Sequence, residues 1–212
     1  MKEMNIPVGV SDFEKIRNGG FYYIDKSGLI MQILKEKAEV TLIARPRRFG
    51  KTLGISMLES FFDIRKNSRK MFEGLEIAEH QALCKEWMNQ YPTVSISFRQ
   101  IDGLNFMDAY RQLIYEIALL YQNHAYLLDS QAISKQEKFL FQQISDRKAE
   151  KTDVMRSIQF LTLLLNKYYN KKVILLIDEY DVPVAKANNN GYYSEMLDVM
   201  KGLMQALKDN QA

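Results

Sequence analysis

The chain has 212 residues and a mass of 24.8 kDa, a length typical of one globular domain. Hydrophobic residues make up 47% of it and charged residues 26%, with only four prolines, which excludes the disordered and collagen-like classes. A net charge of +3 from 29 basic and 26 acidic residues is too balanced to indicate nucleic-acid binding, and one cysteine, Cys84, excludes a disulfide framework.

The first residues of the chain lack the apolar core of a signal peptide. Charged residues also interrupt every hydrophobic segment before it reaches the roughly 20 residues that a membrane-spanning helix requires. We therefore predict a cytoplasmic protein with no membrane partner.

Two short helices are predicted before the first strand. Ser11 is suited to cap the first helix, because Glu14 completes a capping box with it, and the glycines at 19 and 20 end that helix. Asp25 is expected to cap the second helix, whose apolar residues recur at helical spacing. The apolar, partly β-branched residues 40–44 then predict a short strand.

Strands and helices alternate along the rest of the chain. A helix follows the segment 45–52, with apolar residues at helical spacing, and residues 93–98 predict a second strand. Residues 173–177 are five consecutive aliphatic residues, typical of a central strand that is buried on both faces. This alternation predicts an α/β fold with a mainly parallel sheet flanked by helices, and a binding crevice at the carboxyl ends of the strands.

Residues 45–52, RPRRFGKT, end in the Gly-Lys-Thr of a phosphate-binding loop. The Lys51 ammonium can neutralise phosphate oxygens, the Thr52 hydroxyl can ligate Mg²⁺, and the N-terminus of the following helix adds partial positive charge. The usual pattern has a glycine where this chain has Arg45, and Gly-Lys-Thr also occurs by chance. Taken alone, the motif therefore leaves a nucleotide-binding loop and an ordinary surface loop equally open.

Two acids follow the aliphatic run 173–177. Asp178 stands at the tip of the predicted strand, where a carboxylate can hold Mg²⁺ through water, and Glu179 can orient or deprotonate an attacking water. The alternative is a buried strand followed by a solvated acidic turn, which Pro183 would also suit. The two motifs in this order are more specific than either one alone.

Five short segments spread over nearly the whole chain carry a further signal. They are residues 9–13 (GVSDF), 22–26 (YYIDK), 45–52 (RPRRFGKT), 176–183 (LIDEYDVP) and 191–193 (GYY). Together they resemble the AAA-ATPase-like family of bacterial and archaeal proteins, which are P-loop ATPases. RPRRFGKT is the usual loop of that family, so the resemblance makes Arg45 a family trait.

The resemblance implies a P-loop NTPase with ATP and Mg²⁺ as ligands. It implies that Lys51 and Thr52 bind phosphate and metal and that Asp178 holds the metal through water. The implied catalytic residues are Glu179, as the base, and Lys51. The implied nucleotide-binding residues are Arg47, Arg48, Phe49, Gly50, Lys51, Thr52 and Leu53. Arg47 and Arg48 could contact phosphate, act on a neighbouring subunit, or lie in solvent.

Residues 22–26 resemble the segment that packs near the adenine in related ATPases. The alternative is that Tyr22, Tyr23 and Ile24 belong to the core.

The resemblance also implies a further strand, bearing a sensor residue, after the closing helix. The sequence ends at Ala212 before such a strand, so we expect a truncated form with an incomplete sheet. The strands at 40–44 and 173–177 would then pair directly, recruit a strand from a partner, or leave a gap.

We predict one domain over residues 1–212. Its segments are a helical lead-in (1–38), a phosphate-loop and second-strand unit (39–128), a peripheral helical insertion (129–151), and an acidic-strand unit with the closing helix (152–212).

The expected function is Mg²⁺-dependent binding of ATP and its hydrolysis. A nucleotide-binding switch or scaffold that does not hydrolyse ATP, and a small-molecule kinase, remain alternatives. A homo-oligomer or a protein partner is compatible with the sequence, whereas no basic helix supports a nucleic-acid partner.

Overall fold

The computed structural model describes residues 5–36, 38–44 and 49–207. The chain divides into two compact units, Met1–Thr93 and Val94–Ala212, named here the N-terminal unit and the C-terminal unit. Each unit has a buried apolar core of its own. The arrangement of one domain in four segments stays a prediction.

Helices form the regular structure of the N-terminal unit within its described residues. They are α1 (Phe13–Asn18), α2 (Gly28–Glu36), α3 (Lys51–Phe62), α4 (Arg69–Phe72), α5 (Glu76–Glu79) and α6 (Gln81–Trp87). Phe13, Phe61 and Phe72 are fully buried at the centre of this unit. The ring centroid of Phe72 lies 4.9 Å from that of Phe13 and 5.3 Å from that of Phe61. The apolar periodicity predicted for α3 is confirmed, since this helix buries its Phe61 face against the other helices of the unit.

The single tryptophan of the sequence, Trp87, ends α6 in the N-terminal unit. Its ring stacks on that of Tyr91 with centroids 4.7 Å apart, and its edge meets Phe62 at 6.3 Å. Offset stacking and edge contacts of this kind are the favoured aromatic geometries. Trp87 therefore belongs to the packed part of its unit.

The start of α1 differs from the prediction by one residue. Asp12 caps the helix, and its carboxylate accepts a hydrogen bond from the N–H of Lys15 at 3.1 Å. Ser11 and Asp12 are both good capping residues, so local preference could not choose between them. The predicted capping box of Ser11 with Glu14 is wrong.

The strand predicted over residues 40–44 is not formed. These residues have no regular structure, and the side chains of Val40 and Leu42 are 55% and 71% exposed. A strand is stable only when a neighbour pairs its backbone N–H and C=O groups, and no strand among the described residues pairs with this segment. Of the predicted order strand, loop, helix, the structure therefore confirms the helix.

The sheet contains two parallel strands, β1 (Thr93–Ser97) and β2 (Ile174–Asp178), in the described part of the chain. Parallel neighbours need a crossover connection, which α7 (Phe106–Gln122), α8 (Lys135–Ser145) and α9 (Lys151–Tyr169) supply. The first and last residues of both strands lie within one residue of the predicted bounds, which were 93–98 for β1 and 173–177 for β2. The α/β class is confirmed.

β2 is less buried than the sequence predicts. Val173 and Leu176 are buried, whereas Ile174, Leu175 and Ile177 are only half-buried. Among the described residues β2 pairs with β1 alone, so its second edge carries no strand. The prediction of a central strand buried on both faces is therefore wrong.

The core of the C-terminal unit lies among α7, α8, α9 and the closing helix α11 (Tyr193–Met204). Segment 129–151 contributes to this core, because Phe141 of α8 is buried with its ring centroid 4.8 Å from that of Tyr121. The Tyr121 hydroxyl donates to the carbonyl of Ser157 at 2.7 Å, which satisfies a polar group at full burial. No helix in the described ranges has both the length and the apolar content needed to cross a membrane.

Candidate functional site

Gly50 adopts a left-handed backbone conformation directly before α3. Its φ is +75° and its ψ is +30°, values that a glycine reaches without steric cost. Its carbonyl accepts the N–H of Gly54 at 2.9 Å, so the helical bonding of α3 begins at Gly50. The chain thus turns sharply at this glycine and starts a 12-residue helix at Lys51.

The N-terminus of α3 brings together the described members of the predicted nucleotide-binding set. Lys51, Thr52 and Leu53 form the first turn and are half-buried, and the Phe49 side chain before them is 61% exposed. The first-turn N–H groups have no acceptor within the helix, and the helix dipole adds positive potential. Arg47 and Arg48, with the rest of residues 45–48, lie outside the described residues.

The charges near this helix start favour an anion. The first turn of α3 contains no acidic residue. In the described ranges, no carboxylate forms an ion pair with Lys51 or Lys26. Two ammonium groups of the N-terminal unit therefore carry charge that no carboxylate of the described residues neutralises by an ion pair.

Lys26 is a residue of this site that sequence reasoning assigned elsewhere. Its ammonium donates to the carbonyl of Phe49 at 3.4 Å and lies 3.1 Å from the position where a Cβ on Gly50 would stand. The resemblance placed residues 22–26 near an adenine, yet the Lys26 end of this segment lies at the Gly-Lys-Thr loop. No short-range sequence pattern predicts the contact between Lys26 and Phe49, because the two residues are 23 positions apart.

The aromatic and aliphatic residues of segment 22–26 are not all core residues. Tyr22 and Ile24 are 51% and 65% exposed, so a core role is wrong for both. Tyr23 is half-buried, and its hydroxyl lies 3.3 Å from the sulfur of Met57 on α3. Burial raises the pKa of the Tyr23 phenol above its usual value.

Asp178 and Glu179 lie together where β2 ends. Asp178 is the last residue of the strand and is only 6% exposed, and its backbone carbonyl accepts the N–H of Phe98 at 3.0 Å. Glu179 follows with φ of +52°, a left-handed conformation that costs a residue with a side chain about 1 kcal/mol or more. The strand pairing thus fixes Asp178, while Glu179 has a strained backbone of the kind that is common at functional sites.

The residues after Glu179 form a helix that the sequence analysis did not predict. Helix α10 (Val182–Asn190) starts directly after Asp181, with Pro183 in its first turn. Proline suits this position, because the N–H that it lacks has no helical acceptor there. The run of three asparagines concealed the helix, whereas Pro183 was the signal that could have marked its start.

The predicted metal ligands are an alcohol and a carboxylate. Thr52 belongs to the N-terminal unit and Asp178 to the C-terminal unit. In the part of the chain that the structure describes, no three His, Cys, Asp or Glu side chains are grouped as a metal site. Few protein oxygens are the donor chemistry expected for Mg²⁺, which keeps several waters and takes further ligands from phosphate.

Comparison with known proteins defines the class of the protein. Residues 7–212 match the family described as AAA-ATPase-like, predicted AAA-ATPase. The chain therefore belongs to the AAA-ATPase-like family, as the resemblance implied.

The chain is also similar to a curated protein. It is the "Uncharacterized protein in vnfD 5'region" of Azotobacter chroococcum mcd 1, which is 27% identical over 214 residues. The alignment covers 100% of this chain and 36% of the relative, so the chain spans little more than a third of that protein's length. No solved structure matches the chain.

Proposed function

We propose that this protein binds ATP with Mg²⁺ and hydrolyses it. The observation that carries the proposal is the left-handed Gly50 followed by Lys51 and Thr52 at the start of a 12-residue helix, in a chain of the AAA-ATPase-like family. A glycine turn that delivers backbone N–H groups and a lysine to a helix N-terminus is the arrangement that binds phosphate.

The phosphates are assigned to the residues around Gly50. The Lys51 ammonium pairs with β- and γ-phosphate oxygens, and the first-turn N–H groups of α3 donate to phosphate oxygens. The Thr52 hydroxyl holds Mg²⁺, which neutralises developing charge on the phosphates when it is bound. Arg47 and Arg48 are proposed as additional phosphate contacts, since they precede this turn in the sequence.

The acids at the end of β2 receive different roles in the proposal. Asp178 holds the metal through water, a role that suits a buried acidic residue whose backbone is fixed by strand pairing. Glu179 accepts a proton from the attacking water. Its strained conformation supports this role, because strain of this kind is kept where a side chain must hold one direction.

A Mg²⁺-ATP titration by calorimetry, with phosphate release measured in parallel, tests the proposal. Lys51→Ala is expected to weaken ATP binding by roughly a hundredfold or more, since several charge-assisted hydrogen bonds are lost. Lys85→Ala is the matched control, because Lys85 is an exposed lysine of α6 in the same unit. Equal ATP affinity in the two folded variants would refute the phosphate-loop assignment.

A nucleotide-binding switch that does not hydrolyse ATP is the second candidate. The observation that favours it is the segment 40–44, which forms no strand before the loop. Catalysis needs the phosphates held within a fraction of an ångström, whereas binding tolerates a looser loop. ATP binding without phosphate release under saturating Mg²⁺ would identify this second function.

A further inference from the structure

Lys26 occupies the space beside the Gly50 turn. Its ammonium lies 3.4 Å from the Phe49 carbonyl, a long hydrogen bond, and 3.1 Å from the point where a Cβ of residue 50 would stand. Since Gly50 has no side chain, the ammonium approaches the turn closely. The contact joins a segment that precedes α2 to the turn that precedes α3.

Two neighbours of Lys26 fix the segment on α5. The Asp25 carboxylate accepts the N–H groups of Ser27 at 2.8 Å and Glu76 at 2.7 Å, and the Ser27 hydroxyl accepts the N–H of Ile77 at 3.1 Å. Partial burial opposes ionisation of Asp25, but these backbone hydrogen bonds outweigh it and lower the pKa of the carboxyl below its usual value. Asp25 therefore stays charged at neutral pH and holds the backbone that carries Lys26.

The other side of the segment is held by Tyr23. Its ring makes an edge contact with Phe13 at a centroid distance of 5.4 Å, and its hydroxyl reaches Met57 of α3. Lys26 thus projects from a segment that is anchored on both sides, which lowers the entropy cost of placing its ammonium at the loop.

Among the residues that the structure describes, the bonding capacity of Lys26 is largely unused. An ammonium has three donors, and the long bond to Phe49 occupies one of them. Within the described residues no carboxylate pairs with it. A half-buried cation beside a phosphate-binding turn is therefore prepared to accept an anion.

We propose that Lys26 is a second lysine for the nucleotide phosphates, which exchanges its Phe49 contact for a phosphate oxygen when nucleotide binds. This inference rests on the proposed function. It assigns Lys26 to the phosphates rather than to the adenine. The contribution of Lys26 to binding affinity should therefore depend on the number of phosphates in the ligand.

The test uses the full chain and four variants: Lys26→Met, Lys26→Gln, Lys26→Arg and the control Lys85→Met. Dissociation constants are measured for ATP, ADP, adenosine and inorganic tripolyphosphate. Lys26→Met and Lys26→Gln are expected to weaken ATP and tripolyphosphate binding by roughly tenfold to a hundredfold, whereas adenosine binding is unchanged. Lys26→Arg is expected to retain most of the wild-type affinity for ATP and tripolyphosphate, because arginine keeps the positive charge.

Each contrary outcome has a different meaning. If Lys26→Gln binds like the wild type while Lys26→Met is weak, the residue only holds the Phe49 carbonyl and the inference is wrong. An equal loss for adenosine and ATP would assign Lys26 to the base and also overturn it. If Lys51→Ala weakens ATP but no Lys26 variant does, the inference fails alone. If the wild type binds neither ATP nor tripolyphosphate, the proposed function fails with it.

Discussion

The Gly50 turn and the Glu179 turn use the same left-handed conformation by different means. At Gly50 the residue type permits φ of +75° without steric cost, so the local sequence alone favours the turn. At Glu179 a residue with a side chain holds φ of +52°, and the hydrogen bonds of its neighbours must maintain it. The first turn can therefore be read from sequence, whereas the second depends on the fold around it.

The largest expected effect separates the two acids beside the second turn. Glu179→Gln should leave Mg²⁺-ATP binding intact and reduce hydrolysis by roughly 10² or more, since the shape remains but the base is lost. Asp178→Asn should instead weaken Mg²⁺-dependent binding, because a neutral amide attracts the cation less. Calorimetry and phosphate release distinguish these losses. Wild-type turnover in Glu179→Gln would show that Glu179 is not the catalytic base.

Gly50→Ala tests the first turn directly. An alanine must keep φ near +75°, so the free energy of unfolding should fall by about 1 kcal/mol. The new Cβ would also stand 3.1 Å from the Lys26 ammonium, which can swing away because it ends a flexible side chain. ATP affinity should decrease roughly tenfold through the altered turn. Chemical denaturation and calorimetry measure the two effects, with Gly9→Ala, another left-handed glycine, as the backbone control.

Gly50→Ala is expected to lower the free energy of unfolding, whereas a glycine at position 179, in Glu179→Gly, is expected to raise it. Relative to Glu179→Ala, the glycine relieves the left-handed strain and should raise the free energy of unfolding by up to about 1 kcal/mol, after its own entropy cost. Both variants remove the carboxylate, so the comparison isolates the backbone. Equal denaturation midpoints for the two variants would mean that the Glu179 turn holds no strain.

The smallest effect concerns two acids with lowered pKa values, one in each unit. At Asp102 the pKa is lowered mainly by the hydrogen bond from Lys186, an exposed ion pair with 2.6 Å between nitrogen and oxygen. At Asp25 partial burial raises the pKa, and the backbone donors of Glu76 and Ser27 more than reverse it. Both carboxylates stabilise the fold fully above their unfolded pKa of about 4, and this contribution is lost as pH falls through the folded pKa.

Salt distinguishes the two acids. Added salt screens exposed ion pairs, so the pKa of Asp102 should rise toward its usual value, while that of Asp25 should change less. Carboxyl titration by NMR at low and high ionic strength measures both groups. A larger salt response at Asp25 than at Asp102 would contradict the assigned causes.

Elements with a repeated local signal were predictable from sequence. The aliphatic run of β2 gives the bounds of that strand to within a residue, and the apolar periodicity of α3 identifies it as a helix with one buried face. Residues 40–44 carried an equally plausible strand signal, yet a strand also needs a paired neighbour, which is a property of the whole fold. β-propensity alone cannot supply that information.

In the candidate site, too, local features were predictable from sequence and long-range contacts were not. Gly50, Lys51 and Thr52 are contiguous, so their spacing identified the turn and the helix start. The Lys26 contact depends on Asp25 and the start of α5, which no local pattern connects. The sequence therefore indicated which residues are chemically suited to phosphate, but not which distant residue lies beside them.

The stacked Trp87 is an intrinsic fluorescent probe of the N-terminal unit. All tryptophan emission comes from the N-terminal unit, because the sequence contains one tryptophan, and its ring is held between Phe62 and Tyr91. Selective excitation of the indole therefore follows the melting of Met1–Thr93 alone, whereas far-ultraviolet circular dichroism follows the helices of both units. Coincident curves would make the two units one cooperative folding system, and separated curves would make them two.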